Sequence, residues 1–292
     1  MRINLNFGQV KAVVDTFGAE LISFQDANGK EYIWNGNPEF WTGRNPNLFP
    51  VVGNLKDGKI MINGNEYKMG RHGFARGSEF SVAEQGENYV VFELTENEET
   101  MNVYPFKFSF KVIHRLEENG FSTEYTVTNT GAEMLPYCVG AHTAFNCPMN
   151  EGEAFEDYQL VFNKEEDAET HLLTSAGVFQ NGDTEPMLHG GILPLDYSVY
   201  ERLDTVVFRG LESTEVCLKH KESGHGVKME FEQFPMIAFW TKGKEHAPYI
   251  CLEPWHGCAA YENESGDMLD KPHVICLNPG ESKSLKYAVE II

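Results

Sequence analysis

The chain has 292 residues, of which 41% are hydrophobic and 12% aromatic, and this supplies enough apolar surface for a large buried core. Lys and Arg total 23 against 44 Asp and Glu, so the net charge is −21. The resulting negative electrostatic field repels nucleic-acid phosphates and anionic lipid surfaces, so we predict neither nucleic acid nor a membrane as a partner. The sequence has no signal-like amino terminus and no long apolar run, which predicts a cytoplasmic protein.

Alternating apolar and polar residues, the pattern of half-buried strands, recur along the whole chain. Residues 106–112 alternate, residues 117–120 form a turn, and residues 121–127 alternate again, which predicts an antiparallel hairpin. Residues 227–231 and 285–291 show the same pattern. Because turn signals are frequent and no segment keeps a helical period, we predict an all-β fold, a sandwich or a barrel, with few short helices. No linker or repeat divides the chain, so we expect one domain over residues 1–292.

The cysteines and histidines do not indicate a metal site or a disulfide scaffold. The six cysteines lack CxxC spacing and are sparse for so long a chain, so we interpret them as reduced core thiols. His220 and His225 are separated by four residues, and no His-Glu-x-x-His motif occurs. We therefore predict neither a metal nor a cofactor.

Three short segments each place titratable side chains among small or aromatic residues: Arg-His-Gly-Phe-Ala-Arg at 71–76, Gly-Ala-His-Thr-Ala-Phe-Asn at 140–146, and Leu-Glu-Pro-Trp-His-Gly at 252–257. Their two central histidines, His72 and His142, and the glutamate, Glu253, form a set suited to general acid–base catalysis. The sequence has no phosphate-binding glycine loop or Ser-His-Asp pattern to suggest other chemistry. Proton transfer on a polar substrate is the reaction class that these residue types favour.

Each of these residues also has a structural interpretation. His72 could be a turn histidine that bonds the backbone, and His142, in an apolar context, could be a core histidine bonded to a carbonyl. Glu253 follows an apolar run and precedes Pro254, so we place it at the end of a buried strand, where desolvation would shift its pKa or where it could cap a backbone amide.

Taken together, the three segments resemble the motifs of the aldose 1-epimerase, or galactose mutarotase-like, family, in particular its LacX-like branch. The resemblance implies a large antiparallel β-supersandwich of the galactose mutarotase type. It also implies a cofactor-free mutarotase that interconverts the α and β anomers of a hexose, with Glu253 as the base and His142 as the acid. His72 would hold the sugar's ring or C1 oxygen. We expect the three side chains to converge on one solvent-open pocket.

The resemblance also suggests substrate-binding residues. Asp204 occupies the place of a sugar-binding aspartate, although a turn-capping role explains it equally well. Trp255 and Phe74 would offer apolar faces to the sugar. The Asn-Arg-Ile segment of galactose mutarotases is replaced by Val-Gly-Asn-Leu at 52–55, so its sugar-binding arginine is missing. Arg44 and Arg76 are the candidate replacements.

Two alternatives remain open on the sequence. Hexose-6-phosphate mutarotases of the same superfamily place arginines in similar positions, and convergence of Arg44 and Arg76 on the pocket would favour that substrate. The protein could also bind a carbohydrate without turning it over, although binding alone needs no acid and base together. With a net charge of −21, we expect a neutral hexose as the partner. The sequence indicates no oligomeric state.

Overall fold

The computed structural model describes residues 1–292 and is built almost entirely of strands. The first twelve strands are β1 (Arg2–Phe7), β2 (Val10–Asp15), β3 (Glu20–Gln25), β4 (Asn47–Leu48), β5 (Lys59–Ile62), β6 (Asn65–Lys68), β7 (Ser81–Gln85), β8 (Tyr89–Thr95), β9 (Phe108–Glu117), β10 (Gly120–Asn129), β11 (Leu135–Tyr137) and β12 (Val139–Ala141). The other twelve are β13 (Thr143–Asn146), β14 (Tyr158–Phe162), β15 (Ala168–Leu173), β16 (Phe179–Leu188), β17 (Ile192–Pro194), β18 (Thr205–Arg209), β19 (Glu215–His220), β20 (Gly226–Glu230), β21 (Met236–Trp240), β22 (Tyr249–His256), β23 (Ile275–Leu277) and β24 (Ser282–Ile291). The two α-helices are α1 (Glu98–Met101) and α2 (Tyr197–Leu203).

Two large antiparallel sheets form the body of the molecule. One has nine strands in the order β17-β14-β19-β20-β24-β10-β9-β8-β7, and the other runs β18-β21-β22-β12-β4, with β13 also paired to β22. Phe49, directly after β4, stacks on Phe110 of β9 with 4.4 Å between ring centroids. The hydroxyl of Tyr125 on β10 donates to Oδ1 of Asn47 on β4 at 2.8 Å. The two sheets therefore pack face to face over one hydrophobic core, and the predicted all-β supersandwich is confirmed.

The predicted hairpin is confirmed as β9 and β10, with Glu117 opposite Gly120 at its turn. The other two alternating segments are β20 and β24, which lie side by side in the nine-stranded sheet. The helices are short, as expected, and none reaches the length and apolarity that crossing a membrane requires. All six cysteines are unpaired; four are buried, whereas Cys217 is half-buried and Cys276 is exposed.

Candidate active site

The candidate acid and base face each other across neighbouring strands of the six-stranded sheet. β12 and β13 pair with β22 in one continuous register, in which Gly140 lies opposite Trp255. That register puts His142, the residue between β12 and β13, opposite Glu253 and on the same face of the sheet. Nε2 of His142 is 3.2 Å from Oε1 of Glu253. The sheet register alone thus brings together two residues that are 111 positions apart in the sequence.

Pro254 does not end the strand, so the expectation that Glu253 lies at a strand end is wrong. β22 continues to His256, and Pro254 pairs with Ile237 of β21 in its interior. On the other side, Pro254 falls opposite Ala141, the last residue of β12, and the ladder is interrupted for two successive pairs, at Pro254 and at Glu253. A missing N–H costs least at such an interruption, which explains why a proline is tolerated in the middle of a sheet.

Gly140 is required by this close pairing. A Cβ atom at that position would lie 2.8 Å from Cδ1 of Trp255 and 3.0 Å from the carbonyl oxygen of Pro254. Any larger residue would push the two strands apart at the point where His142 and Glu253 meet. The glycine two residues before the histidine therefore has a direct steric role in the site.

His72 enters the site from the loop after β6. Its backbone has φ of 66°, an uncommon conformation for a non-glycine residue, and its main-chain N–H donates to the carbonyl of Gly53 at 3.0 Å. Nδ1 of the ring accepts a hydrogen bond from the main-chain N–H of Gly53 at 3.1 Å. The proton of the neutral ring must then reside on Nε2, which makes no hydrogen bond within the protein and can donate to a ligand. The ring lies 5.6 Å from that of His142.

Burial controls the ionisation of all three groups. It lowers the pKa of His142 to about 3 and raises the pKa of Glu253 well above its ordinary value. Burial, followed by the nearby charges of His142, Arg76 and Arg71, also lowers the pKa of His72 well below the usual histidine range. These shifts favour neutral imidazoles and a protonated carboxyl. His142 and Glu253 then share one exchangeable proton and carry no net charge.

Several polar atoms of the site lack a partner. Nδ1 of His142, Oε2 of Glu253 and Nε1 of Trp255 are buried and make no hydrogen bond within the protein. The Glu253 side chain is only 2% exposed and that of His142 10%. Leaving such groups unsatisfied costs roughly 1–3 kcal/mol each, so their clustering is typical of a site that a polar ligand completes.

These groups line one open pocket. Its aromatic lining comes from Trp41, Trp240, Trp255 and Phe179. Trp41 and Trp240 both pack against the His142 ring, with centroids 4.8 and 5.5 Å away, and against each other at 5.3 Å. Sequence reasoning missed both tryptophans because neither belongs to a recognised motif. Trp240 ends β21 and projects from the same sheet face as Ala238, which lies opposite Glu253.

Charged residues lie at the mouth of the pocket. Arg71, Arg76 and Asp204 all line it. Arg2 and Arg202 form ion pairs with carboxylates, whereas the guanidinium groups of Arg71 and Arg76 have no hydrogen-bond or ion-pair partner. Burial and then the neighbouring charge of Arg71 lower the pKa of Arg76. Two unpaired cations side by side are unusual in so acidic a protein and form a local positive site.

Asp204 lies at the turn after α2 and also lines the pocket. It follows α2 with φ of 64°, in the sparsely occupied region near γ-turns, and its Oδ2 accepts from the hydroxyl of Thr205 at 3.0 Å. Its Oδ1 accepts a long hydrogen bond of 3.4 Å from Nε1 of Trp240. The aspartate thus contacts the side chain of the next residue in the turn and also one wall of the pocket.

Arg44 and Phe74 do not line this pocket, which corrects the expectation that they contact the substrate. Nη2 of Arg44 donates to the main-chain carbonyl of Asn35 at 2.6 Å, and this bond holds the guanidinium in the neighbouring loop. Phe74 packs into the aromatic core, 5.9 Å from Phe49 and 6.1 Å from Tyr104 between ring centroids. Of the sequence-predicted substrate-binding residues, the pocket contains Arg76, Asp204 and Trp255.

One group of side chains at the base of the pocket has the donor atoms of a metal site. Donor atoms of His142, Cys251 and Glu253 all lie within 4.8 Å of one another, and all three residues are buried. Cys251 is two residues before Glu253 on β22, so both side chains project from the same face of the sheet. No local sequence motif links these three residues.

The sequence profile of the aldose 1-epimerase family matches residues 1–290 of the chain. The chain belongs to the aldose 1-epimerase family. It is 34% identical over 300 residues to the plasmid and chromosomal LacX proteins of Lactococcus lactis subsp. lactis, with full coverage of both chains. The resemblance inferred from the three motifs is thereby confirmed.

Solved structures agree with this assignment. The galactose mutarotase related enzyme of Lactobacillus acidophilus superposes with a TM-score of 0.95 at 29% identity, covering 100% of this chain and 97% of that one. A galactose mutarotase-like protein of Lactobacillus casei ATCC 334 gives a TM-score of 0.93 at 28% identity, with 100% of both chains covered. A mutarotase-type function is therefore supported at the level of the family.

Proposed function

We propose that this protein is an aldose 1-epimerase that interconverts the α and β anomers of a hexose by opening and reclosing the sugar ring. The observation that carries the proposal is the pairing of His142 and Glu253, 3.2 Å apart and buried, with further atoms of both side chains left unpartnered. A binding protein gains nothing from an acid and a base held this way, whereas ring opening needs both at once.

The reaction uses the single proton of the pair. When sugar hydroxyls fill the pocket and hydrogen-bond to the charged forms, the proton moves from Glu253 to His142 and yields a carboxylate and an imidazolium. Glu253 removes the proton from the C1 hydroxyl while His142 protonates the ring oxygen, and the C1–O5 bond breaks. Rotation about C1–C2 presents the other face of the aldehyde, and reclosure returns both protons. No net proton is gained or lost in the cycle.

The other residues of the pocket position the sugar. The Nε2–H of His72 donates to the ring oxygen or the C1 oxygen, and its bond to Gly53 fixes the ring in the tautomer that can do so. Trp41 and Trp240 provide apolar faces for the C–H surface of the sugar. A preorganised arrangement of this kind contributes to rate because the substrate arrives already oriented.

A second candidate substrate is a hexose 6-phosphate. The specific observation in its favour is that Arg71 and Arg76 line the mouth of the pocket without carboxylate partners. In a protein of net charge −21, an anion must be held by such a local cluster to overcome long-range repulsion. Arginine pairs bind phosphate oxygens with short, charge-assisted hydrogen bonds. Arg44, which the sequence analysis paired with Arg76, plays no part in this cluster.

Polarimetry with matched pairs of free and 6-phosphorylated glucose and galactose tests both candidates. The proposal expects acceleration of mutarotation above the buffer rate for at least one sugar. If a phosphosugar is preferred, Arg71→Ala and Arg76→Ala should raise its KM, and added salt should do the same, while KM for the free sugar stays constant. Arg2→Ala, which removes an arginine that does not line the pocket, is the matched control. Binding of a sugar with no acceleration would favour a non-catalytic carbohydrate-binding protein.

A further inference from the structure

We propose that His142, Cys251 and Glu253 form an inhibitory binding site for a thiophilic divalent cation such as Zn²⁺ at the base of the pocket. The three donor atoms lie within 4.8 Å of one another. They comprise one nitrogen, one sulfur and one oxygen, a combination that Zn²⁺ accepts and that the hard cations Mg²⁺ and Ca²⁺ avoid. This inference concerns inhibition, and the proposed epimerase reaction requires no metal.

The spacing of the donors is close to that of a tetrahedral site. Metal–ligand distances of about 2.0–2.3 Å place tetrahedral ligand atoms about 3.3–3.8 Å from one another. Nε2 of His142 and Oε1 of Glu253 are already 3.2 Å apart. No separation within the group exceeds 4.8 Å, so the thiol closes the site by moving little more than about 1 Å.

Further observations point to a ligand at this position. Oε2 of Glu253 and Nδ1 of His142 are buried and unpartnered, and their side chains are 98% and 90% buried. Both residues line the pocket, which leaves the fourth coordination position open to water or sugar. A neutral imidazole, a thiolate and a carboxylate together balance the charge of a divalent cation. Binding releases the protons of the thiol and the carboxyl to solvent.

Occupation by a metal would block catalysis, because the ion bonds to both members of the acid–base pair. This consequence rests on the proposed function, whereas metal binding itself does not. The test therefore needs a readout that is independent of turnover. Co²⁺ provides one, since thiolate coordination produces charge-transfer absorption in the near ultraviolet and tetrahedral geometry produces intense visible bands.

The experiment titrates the metal-free protein with Zn²⁺ while mutarotation is followed, and with Co²⁺ while absorption is recorded. We expect inhibition by Zn²⁺ but not by Mg²⁺ at the same concentration. Cys251→Ser should raise the Zn²⁺ concentration for half inhibition by at least about tenfold, relative to its own metal-free rate. Cys276→Ser, which removes the exposed thiol, and Cys147→Ser, which removes a buried thiol elsewhere, are the controls and should leave inhibition unchanged.

The absorption arm separates the outcomes. Loss of the Co²⁺ charge-transfer band in Cys251→Ser, with thermal unfolding like that of the wild type, supports the site even if no sugar is turned over. If Cys251→Ser unfolds, Cys251→Ala and Glu253→Gln replace it, with the same band as readout. A thiolate band that survives in the Cys251 variants, or that disappears in Cys276→Ser instead, overturns the proposal. So does the absence of any Zn²⁺ binding by calorimetry.

Discussion

Replacement of Glu253 by Gln isolates the proton-transfer role of this residue from its structural one. The amide has the shape of the carboxyl group, and it can still contact Nε2 of His142, which lies 3.2 Å from Oε1 in the wild type. It cannot accept a proton from the C1 hydroxyl. A general base contributes about 10²–10⁴-fold, so we expect kcat/KM to fall by that factor, which corresponds to about 2.7–5.4 kcal/mol of transition-state stabilisation.

The same substitution should also change how the free energy of unfolding depends on pH. Because burial raises the pKa of Glu253 in the folded protein, the wild-type residue stabilises the fold fully below its unfolded pKa, near 4.5. That contribution is lost as the pH rises through the higher folded pKa. Glutamine does not titrate, so the stability of Glu253→Gln relative to wild type should increase from about pH 4.5 towards alkaline pH.

The assay combines anomer-exchange rates with chemical denaturation at several pH values. Glu66→Gln is the matched control, since Glu66 pairs with Lys59 on the exposed β5–β6 hairpin and lies outside the pocket. Glu66→Gln should change neither the anomer-exchange rate nor the pH dependence of the free energy of unfolding. Turnover by Glu253→Gln at the wild-type level, after subtraction of the spontaneous rate, would refute the role of base. A stability difference that does not vary with pH would refute the raised pKa.

Three further predictions follow from the site and its surroundings. His142 and Glu253 share one proton, and burial lowers the pKa of His142 to about 3, so kcat/KM should stay nearly constant from about pH 5 to 8. A tenfold fall in kcat/KM per pH unit below about pH 6.5 would contradict this prediction. Glu264→Gln should destabilise the fold by about 3–5 kcal/mol in urea denaturation, because it leaves the buried Lys271 ammonium without its partner at 3.5 Å. The second substitution Lys271→Met, added to Glu264→Gln, should restore stability. Trp240→Ala should raise KM about fivefold, the equivalent of about 1 kcal/mol of lost contact, with kcat nearly unchanged; a fall in kcat as large as that of Glu253→Gln would contradict a purely binding role.

The strands could be predicted from the sequence because each alternation is local. The β9–β10 hairpin follows from its own residues and turn, and so do β20 and β24. The interior proline of β22 could not be predicted in the same way. Proline normally ends a ladder, and only the pairing partners show that Pro254 lies where the ladder to β12 and β13 is already interrupted.

The site was predicted only in part for a similar reason. His142 and Glu253 were identified from their motifs, but their contact depends on a long-range register that no local pattern encodes. Arg44 was expected in the pocket because of its charge and its position near the motifs. Its main-chain N–H and its guanidinium are instead held by Glu20 and Asn35, and neither contact has a sequence signature. Trp41 was not identified as a pocket residue because a tryptophan in a loop can equally pack into the core.

Two-dimensional exchange NMR of the anomeric protons tests the central claim most directly, since it observes α-to-β interconversion at equilibrium without a coupled enzyme. With catalytic amounts of protein and glucose, galactose or their 6-phosphates, we predict exchange cross-peaks for at least one sugar at mixing times at which buffer gives none. His142→Asn should reduce that exchange rate by about 10²-fold or more. Exchange at the buffer rate for every sugar in the panel, or an unchanged rate in His142→Asn, would contradict the proposed acid–base reaction.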